Sequence, residues 1–144
     1  MLIFTEPPVF TAVCVLLGLF VGSFLNVVIH RLPIMMEREW QAEAAALRGE
    51  DDATADAFNL ATPRSRCPHC GHLISALENI PVVSYLILRG RCRHCSAPIS
   101  ARYPLVEVLC AVLSGLTAWH FGFGAAGLGA LVFVWAMIAL TFID

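Results

Sequence analysis

The sequence contains 144 residues, of which 58% are hydrophobic and 14% charged, and its mean hydropathy is +0.75. Because soluble domains average only ~45–50% apolar residues, this composition excludes an ordinary soluble protein and predicts a membrane protein. This apolar composition makes the lipid bilayer the expected partner. The formal net charge is −2, so the positive excess of a phosphate binder is missing and we expect no nucleic acid as a partner.

The first predicted membrane helix covers residues 9–29, which contain no charged side chain. At ~1.5 Å per residue this stretch crosses a hydrocarbon core of ~30 Å. A cleaved signal peptide is the alternative, but Glu6 and the lack of a basic segment before residue 9 argue against it. We therefore expect the N-terminus outside the cytoplasm.

Small and polar residues lie within this first span. Gly18, Gly22 and Ser23 share one helix face, the arrangement that lets a second helix approach closely. Asn26 follows in the same half of the span, where an amide is costly in lipid unless it faces protein. We therefore expect this face to pack against another membrane helix.

The basic residues predict the orientation. All nine are arginines, and they lie between Arg31 and Arg102. Arginines beside apolar spans concentrate on the cytoplasmic side of a membrane, so residues 30–104 are predicted to form a cytoplasmic loop. A reducing cytoplasm keeps the cysteines of such a loop as thiols.

Two parts of this loop have a weaker pattern. Residues 37–56 are rich in alanine and glutamate, which favours a short helix that runs into an acidic, flexible connector. Residues 80–88 are apolar and are compatible either with packing on the cysteine-rich segment or with lying along the membrane.

Two C-x2-C pairs, separated by twenty-one residues, are the strongest motif of the loop. Four thiolates in two such pairs can close a tetrahedral Zn²⁺ site, whereas disulfides or idle thiols are the alternative. The predicted ligands are Cys67, Cys70, Cys92 and Cys95. Gly71 follows the first pair, where a positive φ is expected. Because four sulfurs fill a closed site, we do not expect His69, His72 or His94 to ligate the metal.

Residues 108–143 contain no charged side chain, and as one helix they would be ~54 Å long, far more than a bilayer. The run must therefore fold back, and residues 121–124 (Phe-Gly-Phe-Gly) are the expected turn. We predict spans at about 104–121 and 125–143, with an extracytoplasmic tip. Cys14 and Cys110 are expected to be packed core residues at different depths.

Two carboxylates lie at the predicted cytoplasmic boundary of the membrane, where acids are costly and often functional. Glu107 opens the second span, and Asp144 follows the third. For Glu107 the alternative to a functional role is an ion pair with Arg102 or another basic group. For Asp144, the position at the boundary is by itself weak evidence of a functional role.

Several motifs together resemble the N-terminal half of a type IV prepilin peptidase. They are residues 22–33 (GSFLNVVIHRLP), the paired C-x2-C motif, 78–81 (ENIP), 84–86 (SYL), 102–107 (RYPLVE) and 140–144 (LTFID). The resemblance implies a bacterial inner-membrane aspartic peptidase that cuts the leader from type IV prepilins and type II secretion pseudopilins after a glycine. Many members also methylate the new N-terminal residue with S-adenosylmethionine.

The resemblance implies that Asp144 is the first catalytic aspartate and that the four cysteines bind structural zinc. The second aspartate of the family belongs to a later Gly-x-Gly-Asp motif, and residues 122–125 (Gly-Phe-Gly-Ala) have alanine in its place. A chain of residues 1–144 is therefore expected to be a fragment or truncated product that does not cleave. No residue is assigned to S-adenosylmethionine.

The predicted architecture is an all-α integral membrane protein with three transmembrane helices. Residues 1–29 form the extracytoplasmic N-terminus and first helix, and residues 30–104 form the cytoplasmic loop with a zinc knot at 67–95. Residues 105–144 form a transmembrane hairpin that ends at Asp144. A membrane-tethered zinc ribbon with a non-enzymatic binding role is the alternative, although nine arginines against eight acidic residues leave the loop only +1.

Overall fold

The computed structural model describes residues 6–49, 58–75 and 77–143. Its helices in chain order are α1 (Pro7–Leu47), α2 (Val83–Ile87), α3 (Arg102–Phe121) and α4 (Ala125–Phe142), with a 3-10 turn at Leu77–Asn79. Three of them, α1, α3 and α4, are long and apolar enough to cross a membrane. This confirms the predicted all-α membrane fold, with the cysteine-rich segment between the first and second spans.

The first helix is longer than predicted. α1 has 41 residues, about 61 Å of helix, and continues to Leu47 with Pro33 inside it. Residues 37–47 are helical, as predicted, but they continue α1 and do not form a short helix of their own. A proline removes one main-chain hydrogen bond, but the alanine-rich and glutamate-rich sequence after it favours helix strongly enough to continue. The acidic residues 50–56 of the expected connector lie outside the described residues.

The predicted close approach of a second helix occurs between α1 and α3. A Cβ atom added to Gly22 would lie 2.7 Å from the Glu107 Cα atom, and one added to Gly18 would lie 2.8 Å from the Ala111 Cα atom. Backbone therefore meets backbone at both glycines. The small residues of α1 set the distance between the two spans, as the sequence predicted.

Polar side chains in the bundle face protein partners. The Asn26 side-chain amide of α1 donates to the Tyr103 carbonyl of α3 at 3.0 Å, and Asn26 is buried. The Trp135 indole of α4 donates to the Ser114 hydroxyl of α3 at 2.9 Å. Because lipid offers no hydrogen-bonding partners, these contacts favour one register of the three helices.

The apolar core forms two clusters. One contains Cys110 with neighbours from α1, α3 and α4, and the other contains Cys14. Both cysteines are buried and unpaired. This agrees with the expectation that they are packed core residues at different depths.

The membrane hairpin has the predicted form. α3 ends at Phe121, α4 begins at Ala125, and Gly122 in the turn has φ +66°. The spans expected at 104–121 and 125–143 are thus confirmed within two residues at each end.

We expect Gly22→Ala to lower the free energy of unfolding by about 1–3 kcal/mol, because the new methyl group must push two backbones apart. Gly129→Ala is the matched control, since the structure shows open space around a Cβ atom in that position of α4. The control should leave stability unchanged or raise it by less than ~1 kcal/mol. Unfolding in micelles by added sodium dodecyl sulfate, followed by circular dichroism, measures both. Equal effects of the two substitutions would contradict the helix contact.

Candidate functional site

The first cysteine pair lies on a tight turn closed by its own backbone. The Gly71 N–H donates to the Cys67 carbonyl at 2.9 Å, and the Cys67 N–H donates to the His72 carbonyl at 2.9 Å. Gly71 has φ +70°, which confirms the predicted positive φ and explains the glycine. The turn points the side chains of Cys67 and Cys70 to the same side.

The second pair repeats this turn without a glycine. The Ser96 N–H donates to the Cys92 carbonyl at 2.9 Å, and the Cys92 N–H donates to the Ala97 carbonyl at 2.8 Å. Ser96 has φ +58°, a conformation that residues with a side chain rarely adopt. Ser96 was not predicted from the sequence, where its position directly after a C-x2-C pair is the signal for this role.

The two turns bring four sulfur atoms together. The Sγ atoms of Cys67 and Cys95 are 3.8 Å apart, and those of Cys70 and Cys92 are 4.0 Å apart. All four ligand atoms lie within 4.8 Å of one another. A tetrahedral site with Zn–S bonds of ~2.3 Å requires sulfurs ~3.8 Å apart, whereas a disulfide requires ~2.05 Å. The spacing therefore fits a metal ion and does not fit disulfides.

The turns also favour thiolates. Backbone N–H groups of Cys70 and His69 hydrogen-bond the Cys67 sulfur and lower its pKa to about 6. In the same way, N–H groups of Cys95 and His94 lower the pKa of Cys92. Since the thiolate is the form that ligates zinc, the backbone of each turn prepares one sulfur for the metal.

The remaining charge of the cluster needs a cation. Although a His72 N–H favours the Cys70 thiolate, burial and the neighbouring sulfurs raise the pKa of Cys70 to about 12. Four thiolates this close repel one another, and a divalent cation between them removes that penalty. The donor set thus suits zinc in a closed, structural site.

The histidines lie beside this cluster. The rings of His72 and His94 stack with centroids 5.3 Å apart, and the His72 Nε2 atom is 3.6 Å from a Glu78 carboxylate oxygen. The metal-ligand group found among the described residues contains the four cysteines and no histidine.

Arg31 on α1 binds the segment that connects α1 to α3. This segment carries the four cysteines and is called the cysteine-rich loop. The Arg31 guanidinium donates to the carbonyls of Asn59 at 2.9 Å and Pro63 at 2.5 Å, and the side chain is buried. Phe58 lies under the guanidinium groups of Arg31 and Arg38, with distances to the ring centroid of 5.7 and 4.4 Å. From the sequence, Arg31 indicated only the orientation of the first span, and its contacts with the loop were not predicted.

Glu107 attaches the middle of the loop to α3. Its carboxylate accepts the Val82 N–H at 2.7 Å, and the side chain is buried where α3 meets α1. The ion pair with Arg102, one of the expected alternatives, does not form here; the Arg102 guanidinium instead donates to the Phe142 carbonyl at the end of α4. Nothing in the apolar sequence around Val82 indicated this bond.

The predicted catalytic residue, Asp144, lies outside the described residues. Its neighbour in the described chain is Ile143, which follows the C-terminus of α4. The structure thus brings together the four predicted metal ligands and places Glu107 at a separate site on the membrane bundle.

Comparison with known proteins decides the family. Residues 16–121 match the family model of the bacterial peptidase A24 N-terminal domain. The chain belongs to this family. The matched range includes the four cysteines and Glu107 and ends before Asp144.

Relatives of this A24 N-terminal domain carry the name prepilin leader peptidase/N-methyltransferase. The chain is 53% identical to the protein of Stutzerimonas stutzeri, with 97% of this chain and 49% of that protein covered. It is 57% identical to the protein of Aeromonas hydrophila, with 96% and 48% covered. The chain spans about half the length of the curated relatives that it matches. No solved structure matches it.

We expect about one Zn²⁺ per chain, lost when Cys67 and Cys92 are both changed to serine, because two of the four ligands disappear. Since such a site contributes folding free energy, the loop should become protease-sensitive while the helices stay in the membrane. Elemental analysis and limited proteolysis of the purified protein measure both effects. Cys14→Ala is the control and should keep its zinc. Metal-free protein purified without chelator, or two disulfides in a mass spectrum, would contradict the site.

Proposed function

We propose that this chain is the N-terminal part of a bacterial inner-membrane aspartic endopeptidase. The enzyme removes the leader from type IV prepilins and type II secretion pseudopilins and methylates the new N-terminal residue. The observation that carries the proposal is identity of 52–57% over at least 96% of the chain to relatives named prepilin leader peptidase/N-methyltransferase. The same observation favours the peptidase over a non-enzymatic zinc ribbon.

The proposed chemistry requires two carboxylates. In an aspartic peptidase a pair of aspartates shares a proton, so that one activates water and the other protonates the substrate carbonyl. We assign Asp144 as the first of this pair, and the second as part of a Gly-x-Gly-Asp segment that residues 1–144 do not contain. One carboxylate alone ionises and cannot fill both roles, so residues 1–144 by themselves are inactive.

Contacts at the ends of α3 and α4 support this assignment. The Arg102 guanidinium donates to the Phe142 carbonyl and lies 5.6 Å from the centroid of the Phe142 ring. These contacts hold the C-terminus of α4 against the N-terminus of α3. Ile143, the last described residue, therefore lies at the end of the bundle that carries the cysteine-rich loop.

The four cysteines would hold Zn²⁺ with no open ligand position. Such a closed site supplies folding free energy and no catalytic water. We therefore propose a structural zinc that keeps the two turns together. S-adenosylmethionine would supply the methyl group in the complete enzyme.

We propose that residues 30–104 face the cytoplasm, as the arginines predict. A cysteine introduced by Leu47→Cys at the exposed end of α1 should not react with a membrane-impermeant maleimide in intact cells. A cysteine introduced by Gly124→Cys, in the α3–α4 turn, should react. Permeabilised cells, in which both react, provide the control. Labelling of position 47 from outside would reverse the orientation and remove the argument for reduced thiols.

We expect residues 1–144 to cut no prepilin, and the protein extended through its Gly-x-Gly-Asp segment to cut it. In the extended protein, Asp144→Asn should lower cleavage by at least ~10³-fold, because a near-isosteric amide cannot share the proton. Gel analysis of a prepilin substrate in detergent or proteoliposomes measures the rate.

Two outcomes contradict this assignment. Cleavage at the wild-type rate by the extended Asp144→Asn protein would show that Asp144 is not catalytic. Activity of the short chain that Glu107→Gln abolishes would assign the carboxylate pair to Glu107 and Asp144 instead.

A further inference from the structure

Helix α2, between the two cysteine pairs, has an exposed apolar face. Val83, Leu86 and Ile87 are 48%, 68% and 74% exposed, and they lie at helical spacings that place them on one side. Ile80, three residues before Val83 and outside the helix, is also apolar and exposed. We call these four residues the α2 ridge. An apolar ridge of this kind on a membrane-bound protein requires a partner.

The opposite side of α2 packs on the cysteine-rich loop. The Tyr85 ring covers Gly90, where an added Cβ atom would lie 2.8 Å from the Tyr85 hydroxyl. The same hydroxyl is 3.5 Å from the Ile99 carbonyl. The loop therefore orients α2 through Tyr85 and leaves the α2 ridge pointing away from the cysteines.

Glu107 sets the position of α2 along the membrane normal. The Val82 N–H, at the start of α2, is bonded to the Glu107 carboxylate at 2.7 Å. Glu107 follows Arg102, the first residue of α3, by five residues, about 7.5 Å along the helix axis. Interfacial helices bury their apolar face ~5–10 Å into the headgroup and acyl boundary. The hydrogen bond thus holds α2 at the depth of such a helix.

The residues near α2 are of the types expected at a membrane surface, namely exposed apolar side chains and arginines. Two exposed apolar residues of α3, Leu105 and Val108, lie within two residues of Glu107, whose carboxylate binds the start of α2. Arg89 and Arg91 follow α2 and are exposed, as expected beside the anionic headgroups of a cytoplasmic leaflet. The start of α2 is therefore bonded to α3 near exposed apolar residues, and two exposed arginines follow its end.

We propose that the α2 ridge is a membrane-contact surface whose partner is the cytoplasmic leaflet of the bilayer. The sequence left two alternatives open for residues 80–88, and the proposal uses both. Tyr85 packs on the cysteine-rich loop, and the α2 ridge on the other side of the helix lies in lipid. The surface ties the metal site to the membrane, because the same short helix contacts both. This inference needs the three membrane spans and does not depend on peptidase activity.

The test places a fluorescent noncanonical amino acid at position 87 of the zinc-loaded full-length protein in nanodiscs. Lipids brominated near the glycerol end of the acyl chain quench a fluorophore that touches them. Position 116, exposed in the second half of α3, is the lipid-facing reference, and position 47, exposed at the end of α1, is the aqueous reference. We expect quenching at position 87 to exceed that at position 47 by at least ~3-fold.

A matched pair of substitutions tests the role of Glu107. Glu107→Ala removes the acceptor and should lower quenching at position 87 without changing it at position 116. Glu107→Gln keeps an acceptor oxygen and should preserve the quenching at position 87. The zinc content of each variant shows whether its cysteine-rich loop is folded. If a variant does not fold, the comparison of quenching at positions 87 and 47 in the protein with Glu107 unchanged decides the proposal.

Two results would overturn the proposal. One is quenching at position 87 no greater than at position 47. The other is a photocrosslinker at position 87 that captures a later segment of the same protein, or a prepilin, in place of lipid. Unchanged quenching in Glu107→Ala would contradict the claim that this carboxylate sets the depth of α2.

Discussion

The close approach of α1 and α3 at Gly18 and Gly22 is the contact on which the other interactions depend. Lipid tails are as apolar as the helices, so helix association in a membrane relies on close packing and interhelical hydrogen bonds. Without side chains at the two glycines, the backbones meet, and Asn26 reaches the Tyr103 carbonyl. A wider separation would leave that amide facing lipid, at a cost of several kcal/mol.

The cysteine-rich loop is joined to this bundle by two polar contacts at the membrane boundary. Arg31 on α1 binds carbonyls near the beginning of the loop, and Glu107 on α3 binds the Val82 N–H in its middle. Each charged side chain is buried and meets backbone groups of the opposite polarity. No buried side-chain nitrogen or oxygen among the described residues lacks a hydrogen-bonding partner. The loop therefore has its own metal-ligand cluster but takes its position from the membrane helices.

Local patterns in the sequence predicted most of the fold. The apolar runs predicted the three spans, because the length and hydropathy of a segment indicate whether it can cross a bilayer. The glycines of residues 121–124 predicted the turn of the hairpin. The spacing of the cysteines and Gly71 predicted the first turn of the metal site. The continuity of α1 through Pro33 was missed, since a proline signal and a strong helix-forming sequence compete and only their balance decides the outcome.

By itself, the sequence determined which segments enter the membrane, which face of α1 packs, and which four sulfurs can share a metal ion. Each of these follows from residues close together in the chain. Only the tertiary structure decided that Glu107 binds Val82, twenty-five residues earlier, that Arg31 binds the loop, and that α2 directs its apolar face away from the cysteines. These contacts join side chains to backbone groups of distant segments, and any residue type supplies such a group, so no residue pattern marks the partner.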